Sequence, residues 1–454
     1  MVRIVIHTIS SPAHALPPGP RLPAPLQTLR WTLHSPSFMD ACHARYGDMF
    51  TLRFVARAVA GRYAPREENR WVFLADPEHV KQLFTADPDV VRTGETNRFL
   101  LDLVGPSSIL VLDEPEHMER RRLLLPPLHG DRVRRYAELI SDVARAELER
   151  WPRGAPLALW PRMQAITLDV IVRVVFGIVE ADRIARWHGL LSRLLNVGTS
   201  PRFVAAQALS STLRGRPLRG GYERLVGPVD AAIAEEIARR RRAADLDERG
   251  DILSLLIAAR REDGTALTDA ELRDELITLL VAGHESTATM LAWAFERLVR
   301  HPDKLARVRE EALAGEEAYV EAVVQETLRL RPVLPIVLRR LAAPLEIGGR
   351  PLPAGAWVAP CAYLVQRRPD LYPDPLAFRP ERFLDSRPGT YAWMPFGGGV
   401  RRCLGASFAQ LEMKCVLQAV VGAVELRPAR SEAERIRPRF ITLAPSRRAE
   451  VLLA

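Results

Sequence analysis

The sequence predicts a mainly α protein with a small β region, and three observations predict it. Eleven segments of helical length carry apolar residues at three- and four-residue spacing, the strand signals are few and short, and no Gly/Ser-rich or low-complexity tract divides the chain. The 454 residues are 48% hydrophobic and 26% charged, ordinary globular usage that excludes disordered and fibrous classes.

In chain order, Pro12, Pro17, Pro18, Pro20, Pro23 and Pro25 predict an extended lead-in over residues 1–25 on the surface, followed by one domain over 26–454. Amphipathic spacing then predicts helices over 27–46, 76–85, 116–125, 131–151, 161–176, 181–195, 220–243, 268–300, 303–314, 318–330 and 404–424. Strands are expected at Met49 to Val55, Arg70 to Leu74 and Trp357 to Pro360, with a hairpin turned by Gly348-Gly349 inside Pro344 to Leu352. Arg239 to Arg242 close one predicted helix, where cations suit the dipole, and read as a solvated face.

The formal charge of +9 and pI near 9.8 would fit a nucleic-acid partner. However, of 64 basic residues only Lys81, Lys304 and Lys414 are lysine, and the 61 arginines are spread among 55 acidic residues without one long basic tract, so no nucleic-acid partner is expected. Cys42, Cys361, Cys403 and Cys415 show neither CxxC spacing nor the density of a disulfide scaffold, which fits a reducing compartment. The apolar stretch Ile4 to Ile6 is too short for a signal peptide, and no run of about 18 apolar residues follows, so a cytoplasmic protein without a membrane anchor is expected.

Two features break the local rules. Thr268 and Glu271 form a capping box before a pattern that runs without proline to His301-Pro302, about 33 residues or near 50 Å at ~1.5 Å per residue. At its centre, LLVAGHESTATMLAW, Gly283 weakens the helix by roughly 1 kcal/mol relative to Ala, and Ser286 and Thr287 can bond to preceding carbonyls, which predicts a local distortion. Glu285 is costly in such apolar company unless it is paired or reaches water. An exposed polar stripe on a half-buried helix would account for these residues. So would a groove where a small ligand lies against the helix, with a carboxylate and a hydroxyl relaying protons.

The second feature is WMPFGGGVRRCLGASFAQLEMKCVLQAVV, where three glycines precede Cys403 and leave room for a large planar group to approach. Cys403 sits at or just before a helix start, beside Arg401 and Arg402, which predicts a lowered thiol pKa and an anionic ligand or nucleophile. A buried cysteine acting as a small hydrophobe leaves the glycines unexplained, and a nucleophile would need a histidine base that sequence does not place.

Phe396, Gly399, Arg401, Cys403 and Gly405 match F-x-x-G-x-R-x-C-x-G, the haem-binding signature of the cytochrome P450 family. Ala282 to Thr287, AGHEST, resembles the family's oxygen-binding segment. Glu326 to Arg329 matches its E-x-x-R motif, and Phe378 to Phe383 resembles the segment whose arginine, here Arg382, joins that pair. The four motifs stand in the family's order, and the resemblance extends from about Pro17 to the end of the sequence.

The resemblance implies the cytochrome P450 fold and haem b, with Cys403 as axial iron ligand and Phe396, Gly399, Gly405, Ala282 and Gly283 beside the cofactor. It implies that His117, Arg121, Arg339 and Arg401 hold the propionates, whose burial needs such donors. Glu326, Arg329 and Arg382 take a structural role, the first two being i,i+3 neighbours on one helical face. Glu285 falls at the acid position of the proton relay and Ser286 where the family more usually has threonine. A serine keeps the hydroxyl but lacks the methyl that restricts its rotamers, so Thr287 is a second candidate for that role. The loop Asn97 to Leu112, with Phe99, Leu100, Leu101, Leu103 and Val104, and the segment Val333 to Leu338, with Ile336, align with substrate-facing regions and are largely apolar.

The function the resemblance implies is a monomeric haem-thiolate monooxygenase that inserts one atom of O2 into a hydrophobic small molecule, a fatty acid, terpenoid, steroid or polyketide-like product of secondary metabolism. Electrons are expected from a separate ferredoxin- or flavodoxin-type partner, because no flavin or reductase domain is visible. A haem-thiolate isomerase or dehydratase that needs no external electrons, and a haem-based sensor, share the cysteine ligand, but a sensor has no use for the Glu285/Ser286 relay.

Overall fold

The apolar periodicity is realised, in this computed structural model, as eleven longer helices among the described residues, 16–55, 69–198, 223–386, 388–439 and 441–453. They are α1 (Ala24–Tyr46), α2 (Pro77–Thr85), α3 (Glu116–Leu124), α4 (Ala137–Leu148), α5 (Leu159–Phe176), α6 (Ala181–Gly198), α7 (Glu223–Arg241), α8 (Asp269–Val299), α9 (Pro302–Ala314), α10 (Ala318–Leu330) and α11 (Ala406–Ala423). The Ile4 to Ile6 stretch, Pro12 and residues 220–222 of one expected helix lie outside the described residues. No described helix is long and apolar enough to cross a membrane.

Helix ends have local causes. The Thr268 hydroxyl accepts from the Glu271 N–H while Glu271 accepts from the Thr268 N–H, so both partners of the expected capping box are present at the start of α8. Gly177 ends α5 and Gly315 ends α9, both in the left-handed conformation that glycine adopts without penalty. The first N–H groups of α5 are capped from far along the chain: Leu159 donates to the Ala449 carbonyl at 3.1 Å and Trp160 to that of Arg448 at 3.0 Å.

Several expectations are corrected. The described part of the proline-rich lead-in, 16–23, has no regular secondary structure and stays largely at the surface as expected, but it is also tied down, with Pro17 buried, the Thr51 N–H donating to the Pro18 carbonyl and the Gln27 amide donating to Pro20 and Leu22. Pro25 lies in the first turn of α1, where a missing N–H costs nothing, and α1 bends at His34 ahead of Pro36. The single helix expected over 131–151 is Asp131–Arg134 followed by α4, the chain turning where the Tyr136 ring meets Phe408 edge-on. Arg239 to Arg242 are not all solvated. Arg240 is buried, pairs with Asp251 and donates to the Phe176 carbonyl at 2.6 Å, because its side chain points from α7 toward the end of α5.

The strands are β1 (Met49–Phe54), β2 (Asn69–Leu74), β3 (Val91–Arg92), β4 (Leu157–Ala158), β5 (Arg339–Leu341), β6 (Leu345–Ile347), β7 (Arg350–Leu352), β8 (Trp357–Pro360), β9 (Leu426–Pro428), β10 (Ile436–Arg439), β11 (Thr442–Pro445) and β12 (Glu450–Leu453). Five form a sheet in the order β1-β2-β8-β5-β3, where β1 and β2 are antiparallel, with Phe50 opposite Phe73, and β2 runs parallel to β8. The expected hairpin is β6–β7, turned by Gly348 and Gly349 at φ 55° and 70°. A three-stranded sheet, β4-β12-β9, and the β10–β11 hairpin were not foreseen.

The helical body closes around α8, which lies along α5, and their buried side chains make about a third of the main core. Contrary to the expected distortion, α8 is helical throughout Asp269–Val299. Gly283 has a packing reason instead, since a Cβ there would lie 3.0 Å from Ile171 Cδ1 of α5.

Candidate active site

The Cys403 loop follows from its glycines. Gly397 and Gly399 take φ of 68° and 65°, and a Cβ on Gly398 or Gly399 would come within 2.4 Å of the Phe84 ring or of its carbonyl oxygen. These two glycines therefore let the loop sit directly on the end of α2. Gly405 has no heavy atom near its missing Cβ. The Cys403 N–H donates to the Phe396 carbonyl at 3.0 Å, and α11 starts three residues later at Ala406. Cys403 is exposed, yet its thiol pKa is raised, not lowered as the helix-start argument predicts. Desolvation by the surrounding protein is the largest cause and outweighs the Gly405 N–H, Arg121 and Arg402, which pull the other way.

Four basic residues from three distant stretches meet beside this loop. Arg121 and His117 share one face of α3, and Arg121 Nη1 donates to the Arg402 carbonyl at 2.8 Å. Arg401 Nη1 donates to the Leu112 carbonyl at 2.8 Å, with Nη2 at 3.4 Å from Asp113 and 3.5 Å from Glu114. Arg339 is buried over the Phe84 ring; among the described residues the one hydrogen bond of its guanidinium goes to the adjacent Leu338 carbonyl. Burial, then Arg401, pushes its pKa down to about 9. His117 is buried 2.7 Å from Glu114, but burial, followed by Arg401, Arg121 and Arg339, holds its pKa near 3. The ring is therefore neutral at pH 7, and its contact with Glu114 is a hydrogen bond rather than an ion pair.

Ala282 is exposed in the middle of α8, and Ser286, one turn on, donates its hydroxyl to the Ala282 carbonyl at 2.7 Å. Thr287 is buried. Glu285 turns toward α5 and β10: Gln164 Nε2 donates to Oε2 at 2.8 Å, and Arg439 Nε lies 3.7 Å from Oε1, which has no hydrogen-bond partner. Burial raises the Glu285 pKa against the pull of Arg439 and Gln164. Among the described residues no hydrogen bond joins Glu285 to Ser286. Gln164 and Arg439 escaped the sequence reading. The first is a polar residue in an otherwise apolar helical run, a usable signal, whereas Arg439 belongs to a hairpin that was not foreseen.

The sequence model of the cytochrome P450 family matches residues 17–453. The chain belongs to the cytochrome P450 family. It is 43% identical over 442 residues to cytochrome P450 135B1 of Mycobacterium tuberculosis, covering 96% of this chain and 91% of that one. It is 44% identical over 376 residues to cytochrome P450 137 of the same species, covering 82% and 78%. The fold matches retinoic-acid-bound cyanobacterial CYP120A1, with TM-score 0.80, 24% identity and coverage of 97% and 100%. It also matches the cytochrome P450DA haem domain, with TM-score 0.81, 22% identity and coverage of 97% for both chains.

P450s are haem-thiolate monooxygenases that carry haem b, and the residues present fit that group: an accessible thiol for the iron, and three guanidiniums with a neutral imidazole for two carboxylates. A buried Arg339 without a carboxylate hydrogen-bond partner is the donor such an anion would satisfy.

The P450 E-x-x-R residues stand behind the loop. Arg329 donates through Nε to Glu326 Oε2 at 2.6 Å and through Nη2 to Oε1 at 2.9 Å, both side chains being fully buried; Arg382 Nε reaches Oε1 at 3.2 Å. Arg329 Nη1 also donates to the carbonyls of Gln366 and Pro375, and Gln366 in turn accepts from the Met394 N–H. The pair is thus tied to the strand of chain that enters the cysteine loop, and its remaining lone pairs and protons are met, as a buried ion pair requires. Phe396 is half-buried beside Trp393. Of the residues expected to face substrate, Phe99, Leu100 and Ile336 keep part of their surface, while Val104 and Val333 are only 1% exposed inside the main core. The expected loop Asn97 to Leu112 contains the end of a 3-10 helix, Gly94–Leu100, and one α turn, Leu101–Val104.

Proposed function

We propose that this P450 inserts one atom of O2 into an apolar small molecule of the fatty-acid, terpenoid, steroid or polyketide-like class, with electrons from a separate ferredoxin- or flavodoxin-type donor. The observation that carries the reading is the convergence of His117, Arg121, Arg339 and Arg401 on the loop of an accessible Cys403. Cys403 is the iron ligand, and the four basic residues hold the propionates. When bound, the haem would supply oxygen activation, which a Cys403 thiolate ligand would favour. Phe99, Leu100 and Ile336 offer the apolar surface that orients a substrate lacking polar handles. Glu285 holds a proton more readily than an ordinary carboxylic acid, because burial raises its pKa, and its unpartnered Oε1 is free to pass that proton on. Ser286 takes part once its hydroxyl leaves the Ala282 carbonyl. Arginines around Cys403, with Arg402 exposed, suit an acidic electron donor.

The test is the absorption spectrum of the dithionite-reduced protein with and without carbon monoxide. Wild type should show a strongly red-shifted Soret band that Cys403→Ser lacks. A folded, haem-reconstituted wild type without that band would remove the thiolate ligand, and the monooxygenase reading with it.

A further inference from the structure

Two turns before Ala282, α8 carries buried charge for which the proton relay and the propionate donors have no use. Asp274 and Glu275 are 5% and 0% exposed and lie against the stretch 103–109. The Ser107 N–H donates to Asp274 Oδ2 at 2.9 Å, and the Ile109 N–H donates to Glu275 Oε1 at 2.9 Å. Between them the Ser108 and Thr278 hydroxyls are 2.7 Å apart. A Cβ on Gly105, at φ 84°, would fall 2.0 Å from Asp274 Oδ1, so the backbone is seated directly on the helix. The same stretch continues on one side into Phe99 to Val104 and on the other into Leu112 and Asp113, which contact Arg401.

The two carboxyls are satisfied unequally. Asp274 has Ser107 on one oxygen and Arg273 Nη1, at 2.9 Å, on the other. Glu275 Oε2 has no partner, and Arg120 Nη1, 3.6 Å from Oε1, has none either. The groups facing Glu275 are Arg120 from α3, the Ile109 N–H from the 103–109 stretch, and Asp274 and Glu271 from α8. Arg120 is shared with Glu271, which also pairs with Arg261. Burial pushes the Glu275 carboxyl up to about 8, against the opposing effect of Arg120 and the Ile109 N–H. A protonated Glu275 is therefore tolerated at neutral pH. An ionised one leaves Oε2 a buried charge without a hydrogen-bond donor, since Arg120 Nη1 stands 3.6 Å from Oε1 and its guanidinium is shared with Glu271, and water reaches that oxygen when α8 and 105–109 part.

We propose that Asp274 and Glu275 are positioning residues that seat 103–109 on the central helix, with Glu275 a proton-operated pin that holds the stretch when neutral and releases it when ionised. The inference rests on 97–112 being a wall of the ligand site, so that release opens the way in. The experiment uses the haem-loaded wild type and Glu275→Gln, which keeps the acceptor for Ile109 but cannot ionise.

Amide hydrogen exchange over 103–112 is measured at pH 7 and pH 9, corrected for the intrinsic rate. Protection should fall about ten-fold in the wild type across that range and stay constant in Glu275→Gln. No change in the wild type overturns the pin whether or not the variant folds, and so does an equal change in both proteins. The association rate of 4-phenylimidazole, followed by the Soret shift, should rise in step in the wild type alone. Exchange that rises while this rate stays constant overturns the coupling to ligand entry and locates the fault in the wall reading, with the spectroscopic test of Cys403 untouched.

Discussion

Glu285 is pulled two ways: burial favours its neutral form, while Arg439 and the Gln164 amide favour the carboxylate. Glu285→Gln keeps the shape but removes the proton, so turnover should fall by about 10²-fold and the share of consumed electrons lost as peroxide should rise. Peroxide yield per product formed checks this, and unchanged coupling would refute the assignment. The cost of placing Glu285 in apolar company was legible from its neighbours in sequence, but its partners were not, because Gln164 lies 121 residues away and meets it only through the packing of α5 on α8. Cys403 shows the same limit. Its motif was readable, but a helix start and two arginines argue for a low pKa only until the mass of surrounding protein is known.

At the scale of elements, the longer helices were legible through their apolar spacing, nine of the eleven spanning twelve residues or more, and Thr268 and Glu271 marked the start of α8. The C-terminal strands were hidden by their length of three or four residues and by Pro428, Pro438 and Pro445 within them. The cysteine loop illustrates a subtler gap, since its glycines could be counted but their neighbour, Phe84 of α2, could not be named. Gly399→Ala would face a left-handed conformation costing roughly 1–2 kcal/mol as well as a backbone oxygen 2.4 Å away. Gly405→Ala, with open space around it, should stay within about 0.5 kcal/mol of wild type. Thermal unfolding of the two variants compares them directly, and equal destabilisation would show that the seat on α2 does not govern the loop.

Across the whole molecule, buried titratable groups set the working pH range. His284, wholly enclosed beside Thr167, has its pKa pushed down to about 3, mainly by burial and then by His188 and Arg439. Below an unfolded-state pKa of about 6.5 the unfolded chain takes up a proton that the folded one refuses, so this stability is complete above that pH and is lost as pH falls toward 3. Urea unfolding should lose up to about 1.4 kcal/mol per pH unit from this group between about pH 6.5 and pH 5, and His284→Gln should flatten that slope. An identical slope in both proteins would contradict it. The fold class was legible because periodicity is local; the assembly of α3, β5 and the cysteine loop into one site was legible only through the family resemblance, since no local signal joins residue 121 to residue 402. The capping of α5 by the carbonyls of Arg448 and Ala449 adds a constraint of time. Leu159 leaves the ribosome nearly three hundred residues before its hydrogen-bond partner exists. At roughly 5–20 residues per second, the helix that supports α8 waits about 15–60 s for its first turn to be completed, so the rate of translation sets the earliest moment at which this protein can close.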